Sequence, residues 1–378
     1  MTDLFSLTVP EDQANDLFLR LRSEDVYAST RRLMNRLFAV LPNPDGNFIR
    51  EFQTAGFDSR VWELYLFALR EDDIWAVDRP HESPDYLFSR FGERAWVEAV
   101  IAGPAQKLRE PEERERFQEF IDNGLAIRYG TPLGNKLERR YCELSHVAGK
   151  ALIVAIADFV ERDVVRWSEE GLLRYLYGAN IVMTSEPGEP VEGITTTVES
   201  HQYGVKTIPS GFFNFPGAEQ VSAVLFSNSG TVAKFHRQAF DASVDRSYRL
   251  VRHGFCPDPR ATSPLPQPFA YIVGEVEEPW SEGLVAMHNP NAMHPLSRGF
   301  FQGVTQWWLR DGELDVSAPS FHPFSSVTTI CHRETGEVDE KFEERLNRFA
   351  EYLIDRTQMT DADIAKTYER HRAMRQKQ

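Results

Sequence analysis

Two carboxylates stand in stretches that leave little room for charge. Glu63 is the only charged residue in the apolar run from Val61 to Leu69, and Glu98 is the only one between Ala95 and Ala102. Burying an ionised carboxylate costs on the order of several kcal/mol unless a cation, a hydrogen-bond network or a metal compensates it. Each acid therefore requires a partner. Asp85, directly after Pro84, and Asp158, closing the run Leu152–Ala157, extend the set to four. Acids gathered in this way could clamp a hard divalent cation, which takes oxygen ligands and keeps several waters. Simpler roles compete: Glu63 pairs with Arg60 or Arg70, Glu98 faces water on an edge strand, and Asp85 and Asp158 are turn and strand-end acids.

The elements that would position these acids can be read locally. The first 56 residues read as a helical lead-in ending near the turn Leu41-Pro42-Asn43-Pro44-Asp45-Gly46. Phe57 to Arg70 is apolar on every side, which predicts a buried helix capped by Asp58 or Ser59. Short aromatic and β-branched runs at Ile74–Val77, Tyr86–Phe88 and Ala95–Ala102 predict three strands. A charged helical stretch between Glu110 and Glu143 precedes Leu152–Ala157, which suits a strand buried on both faces. A further helix, Trp167–Tyr177, stops at Gly178.

Beyond Gly178 the chain reads as a β-rich extension over 179–340. Strands are expected at Gly211–Pro216, Val221–Phe226 and Thr231–Phe235, with a hairpin turn at Ser227-Asn228-Ser229-Gly230 and long loops from Pro257 to Pro323. Helices are expected over 341–378, where Phe342, Leu346, Phe349 and Leu353 share a face.

The pair Pro84-Asp85, twelve intervening residues and then Glu98 within a strand, all preceded by a helix bearing Glu63, resembles the PD-(D/E)XK nuclease superfamily. The resemblance covers Phe57 to Phe159. It implies an α/β (α+β) fold of restriction-endonuclease-like type over 57–178, ordered helix, three strands, helix, strand. It also implies Asp85 and Glu98 as ligands of Mg²⁺, or of Mn²⁺ in its place, with Glu63 as the helix acid. The family places a lysine two residues after the second acid to activate or orient water, but this chain has Val100 there. Some members supply that lysine from the following helix, which nominates Lys136, with Arg139 or Arg140 contacting phosphate.

Outside that stretch the signals are thinner. Lys234, His236, Arg237, Arg246, Arg249, Arg252 and His253 interleave with Phe235, Tyr248 and Phe255, a pattern that could line a nucleic-acid groove through Lys234 and Arg237. An ordinary solvated face balanced by Asp241 and Asp245 is the alternative. His288, His294, His322 and His332 match no zinc spacing, although convergence of His288 and His294 with an acid would indicate a metallo-hydrolase. No GxSxG, Walker or GxGxxG pattern occurs.

The chain has 378 residues, with 42 Lys+Arg against 57 Asp+Glu and a net charge of -15. Such acidity argues against coating nucleic acid by bulk charge, because backbone binding exchanges counterions for Lys and Arg. A nuclease of this composition must gather its basic residues beside Asp85 and Glu98. Cys142, Cys256 and Cys331 are widely spaced, and no run of about 18 apolar residues occurs, so a cytoplasmic, non-membrane setting is expected. The leading expectation is metal-dependent hydrolysis of nucleic acid, DNA before RNA, with room for a homodimer. The rival is a degenerate nuclease fold serving as a protein or nucleic-acid binding module.

Overall fold

The computed structural model describes residues 3–42, 46–102, 119–159, 168–184, 192–257 and 267–332. The N-terminal lead-in is helical as expected, in α1 (Asp16–Ser23), α2 (Ala28–Val40) and α3 (Phe48–Gln53). α4 (Phe57–Ala68) follows, with Glu63 on its second turn. Neither Asp58 nor Ser59 caps it. The helix begins directly after Gly56 without a side-chain cap, so its stability comes from burying nearly every residue rather than from its terminus.

Three antiparallel strands come next: β1 (Ala76–Asp78), β2 (Tyr86–Arg90) and β3 (Glu93–Ile101). α5 (Leu125–Glu138) then crosses to β4 (Ala151–Ala157), which lies parallel to β3. β3 is thus flanked on both sides. Its interior position overturns the edge-strand reading of Glu98, whose side chain has no open solvent face. α6 (Ser168–Tyr177) does stop at Gly178, which takes a positive φ of 64° and donates its N–H to the Arg174 carbonyl.

Two small hairpins follow, β5 (Ala179–Thr184) with β6 (Glu192–Thr197) and β7 (Ser200–Tyr203) with β8 (Lys206–Pro209). Gly211–Pro216 is a 3₁₀ turn, Phe212–Asn214, rather than a strand. β9 (Ala223–Ser227) is a strand as expected. The next segment departs from the reading. Thr231–Phe235 enters a helix, α7 (Val232–Ala239), and Ser227–Gly230 is the strand-to-helix junction, in which Ser227 Oγ accepts from the Ser229 and Gly230 N–H groups. A short apolar run carries too little periodicity to separate strand from helix, and packing of Val232, Phe235 and His236 settles the matter here.

The stretch from Pro257 to Pro323, expected to hold long loops in a β-rich extension, contains β11 (Gln267–Ile272), β12 (Leu284–His288), β13 (Thr305–Arg310) and β14 (Glu313–Ser317), and it is flanked by β10 (Tyr248–Cys256) and β15 (Ser325–His332). The principal sheet runs β1-β2-β3-β4-β9-β12-β13-β14, and a separate sheet runs β11-β10-β15. Four of the eight principal strands lie after residue 178, so that position does not divide the sheet. The helices expected over 341–378 lie outside the described residues.

The fold is mixed α/β in three layers. Alternation along β3 and β4 sends Ala95, Val97, Ile153 and Ala155 into a core with α4 and the N-terminal helices. Trp96, Leu152, Val154 and Ile156 enter the opposite core with α5 and α6. Among the described residues no helix is long and apolar enough to cross a membrane.

Candidate active site

Asp85 sits one residue ahead of β2, where the β2–β3 ladder ends with Tyr86 opposite Val97. Its carboxylate takes over from the ladder: Oδ2 accepts the Ala99 N–H at 2.7 Å, which ties Asp85 to the residue beside Glu98. Glu98 lies on the α5 side of the sheet, level with Val154 on β4, and is 4% exposed. From the last turn of α5, Lys136 extends Nζ to 2.5 Å from Glu98 Oε1. Arg139 comes within 3.9 Å of the same oxygen. Lysine near a helix C-terminus also complements the helix dipole.

Glu63 approaches from the other layer. Arg60, one turn earlier on α4, donates to both its oxygens at 2.9 and 3.0 Å. Arg79, just after β1, donates to Oε2 at 3.1 Å and reaches to 3.8 Å from Asp85 Oδ1, bridging the two acids. The Arg60 partnership was one of the simpler roles legible in the sequence. Arg70 instead lies over the Phe67 ring. Glu63, Asp85, Glu98 and Lys136 thus form one chain of charges that straddles the β2–β3 edge.

Electrostatics distinguishes Asp85. Burial, with the Glu98 and then the Glu63 charge, pushes its carboxyl up to about 7, against the pull of the Ala99 N–H and Arg79. Burial likewise raises Glu63, with Arg60 and Arg79 opposing. Two buried donor atoms nearby, Arg79 Nε and Tyr141 Oη, make no hydrogen bond among the described residues. The Tyr141 hydroxyl lies close enough to Glu98 and Arg139 to feel both charges, but outside hydrogen-bond geometry.

Asp85 Oδ1, which among the described residues makes a long contact to Arg79, could still take a cation, and Glu98 commits Oε1 to Lys136. A Mg²⁺ site built on one or two carboxylates plus waters and substrate oxygens fits this set. Among the described residues there is no group of three or more His, Cys, Asp or Glu side chains able to hold a metal unaided.

The remaining candidates fall elsewhere. Arg140 pairs with Glu143 at the surface. Asp158 is buried at the end of β4, bound by Arg128 and by the Tyr129 hydroxyl at 2.5 Å. Lys234 and Arg237 are not surface contacts, which corrects the expectation of a basic groove: both are buried and held by Glu278 at 2.7 to 2.9 Å. Arg252 joins them, bound to Glu282 and 3.2 Å from Glu278. These three cations neutralise acids inside the fold, whereas Arg246 and Arg249 are exposed.

Among the described residues the histidines form no group of three or more potential metal ligands with each other or with acids. His288 stacks on Trp308 and bonds Gln306, whereas His322 bonds Glu169. Sequence reading missed Arg79, Tyr141, His81 and His146. Arg79 is the one with a local signal, a basic residue six positions before Asp85. No family model, no curated protein and no solved structure matches the chain.

Proposed function

We propose that the chain is a metal-dependent nuclease, a divergent member of the PD-(D/E)XK type. The observation that carries this reading is the reach of Lys136 to Glu98, with Asp85 tied to the neighbouring residue of β3. Lysine supplied from the crossover helix answers its absence at Val100. The order α4, β1, β2, β3, α5, β4, with an antiparallel meander followed by a parallel strand, supports a restriction-endonuclease-like core.

In this reading Asp85 and Glu98 would hold Mg²⁺, which would supply a charge sink for the phosphoryl oxygens and lower the pKa of water. Lys136 anchors Glu98 and presents an ammonium to the attacking water. Arg139, 62% exposed at its side chain, can turn toward a phosphate oxygen. Arg79 and Glu63 act behind Asp85, fixing its carboxylate between a cation and a backbone N–H.

One feature favours the rival reading, a degenerate fold that binds without cutting. Glu63 and Glu98 already have basic partners, as purely structural acids would. The two are separated by incubating labelled single- and double-stranded DNA and RNA with Mg²⁺ or Mn²⁺. Cleavage by the wild type and its loss by at least about 100-fold in Asp85→Ala and in Glu98→Ala is expected. Activity that survives both substitutions refutes the site. Binding without cleavage supports the rival.

A further inference from the structure

Beside the acids stands a ring stack that the hydrolytic reading does not use. Trp96, two residues before Glu98 on the same side of β3, is buried, and its indole N–H donates to the His146 carbonyl at 3.0 Å. The His146 ring meets Trp96 edge-on at 4.9 Å between centroids. His81 then stacks on His146 at 3.9 Å with planes 14° apart.

Two of the rings are fixed and the third is presented. His146 Nε2 is 2.9 Å from the Ser83 carbonyl, so that nitrogen carries the proton and the ring is locked to the segment leading into Asp85. His81 is exposed and makes no hydrogen bond to another described residue; its position is set by stacking alone. Parallel imidazoles direct their lone pairs along the ring planes, so the pair is not arranged as two ligands of one metal. What it offers is a flat aromatic surface on the strand and turn that carry Glu98 and Asp85.

We infer that His81 is a stacking platform for an unpaired nucleobase adjoining the phosphate bound at Asp85 and Glu98, and that the substrate is a single-stranded or locally unpaired nucleic acid. This inference rests on the nuclease reading. Bases inside a duplex are stacked on one another, whereas unpaired ones are free to stack on an aromatic side chain in a sequence-tolerant way. His146 serves as a positioning residue, joining the platform to the Asp85 turn.

The test is fluorescence anisotropy in Ca²⁺, used in place of Mg²⁺ so that a cation still joins the phosphate to the acids, with two labelled dodecamers of equal charge, oligothymidylate and its abasic counterpart. Stacking energies predict that His81→Ala binds oligothymidylate about 5- to 20-fold more weakly, with His81→Phe within about twofold of wild type. Binding of the abasic strand should be unchanged in both variants. Thermal melting checks that each variant folds, and the cleavage assay should show KM raised by the same factor with kcat unaltered. Equal weakening of both strands, or no weakening, overturns the platform while leaving the nuclease reading intact. A wild type that binds neither strand and cleaves nothing removes both.

Discussion

Lys136→Met separates the ion pair that defines the site, and its effect can be worked from the structure. The side chains of Lys136 and Glu98 are 13% and 5% exposed, with 2.5 Å between Nζ and Oε1. Removing one partner of a buried pair costs about 3–5 kcal/mol, because the other charge is left without compensation. Arg139 at 3.9 Å offers partial replacement but is largely solvated, so the lower end, ~3 kcal/mol, is expected. At about 2 °C per kcal/mol for a chain of this size, that is roughly a 6 °C drop in Tm.

One further reading identifies the cause. Lysine competes with a metal for Glu98. If its removal tightens Mg²⁺ about tenfold, 10 mM Mg²⁺ should stabilise the variant by up to about 1.4 kcal/mol more than the wild type. Differential scanning fluorimetry with and without Mg²⁺ measures both quantities. A variant as stable as the wild type, or one whose Mg²⁺ shift is no larger, refutes the reasoning.

The remaining predictions concern the buried network and the histidines. Glu278→Gln keeps the shape but leaves Lys234, Arg237 and Arg252 with Glu282 alone, so urea denaturation at pH 6 should show a loss of about 3–5 kcal/mol. Burial already pulls Lys234 down to about 8, so it sheds its proton easily and the loss should shrink at pH 9; a loss independent of pH would exclude Lys234 as its source. Burial likewise lowers His236 and His288 to about 4. The unfolded chain then binds protons that the fold refuses, so stability should fall as pH drops from about 6.5 to 4, by up to ~3 kcal/mol per histidine. His288→Gln should flatten that slope in pH-dependent urea melts, and an unchanged slope would exclude His288 from it.

What the sequence by itself determined was where compensation was required. Glu63 and Glu98 interrupt apolar runs, and burial cost alone demanded partners for them, just as the apolar runs around them determined α4 and β3 and the unbroken run Leu152–Ala157 determined β4. Gly178 ended α6 because only a residue tolerant of positive φ suits that position. Which partners answered the demand was decided by tertiary structure. Arg79 lies 16 residues from Glu63 and Lys136 lies 38 from Glu98, separations over which side-chain type carries no directional information. The same limit made Lys234 and Arg237 look like a basic groove, because a charge run reads alike whether it faces water or a buried glutamate. It also hid α7, since helix and strand divide a short apolar segment by what packs against it, and the packing comes from elements distant in the chain.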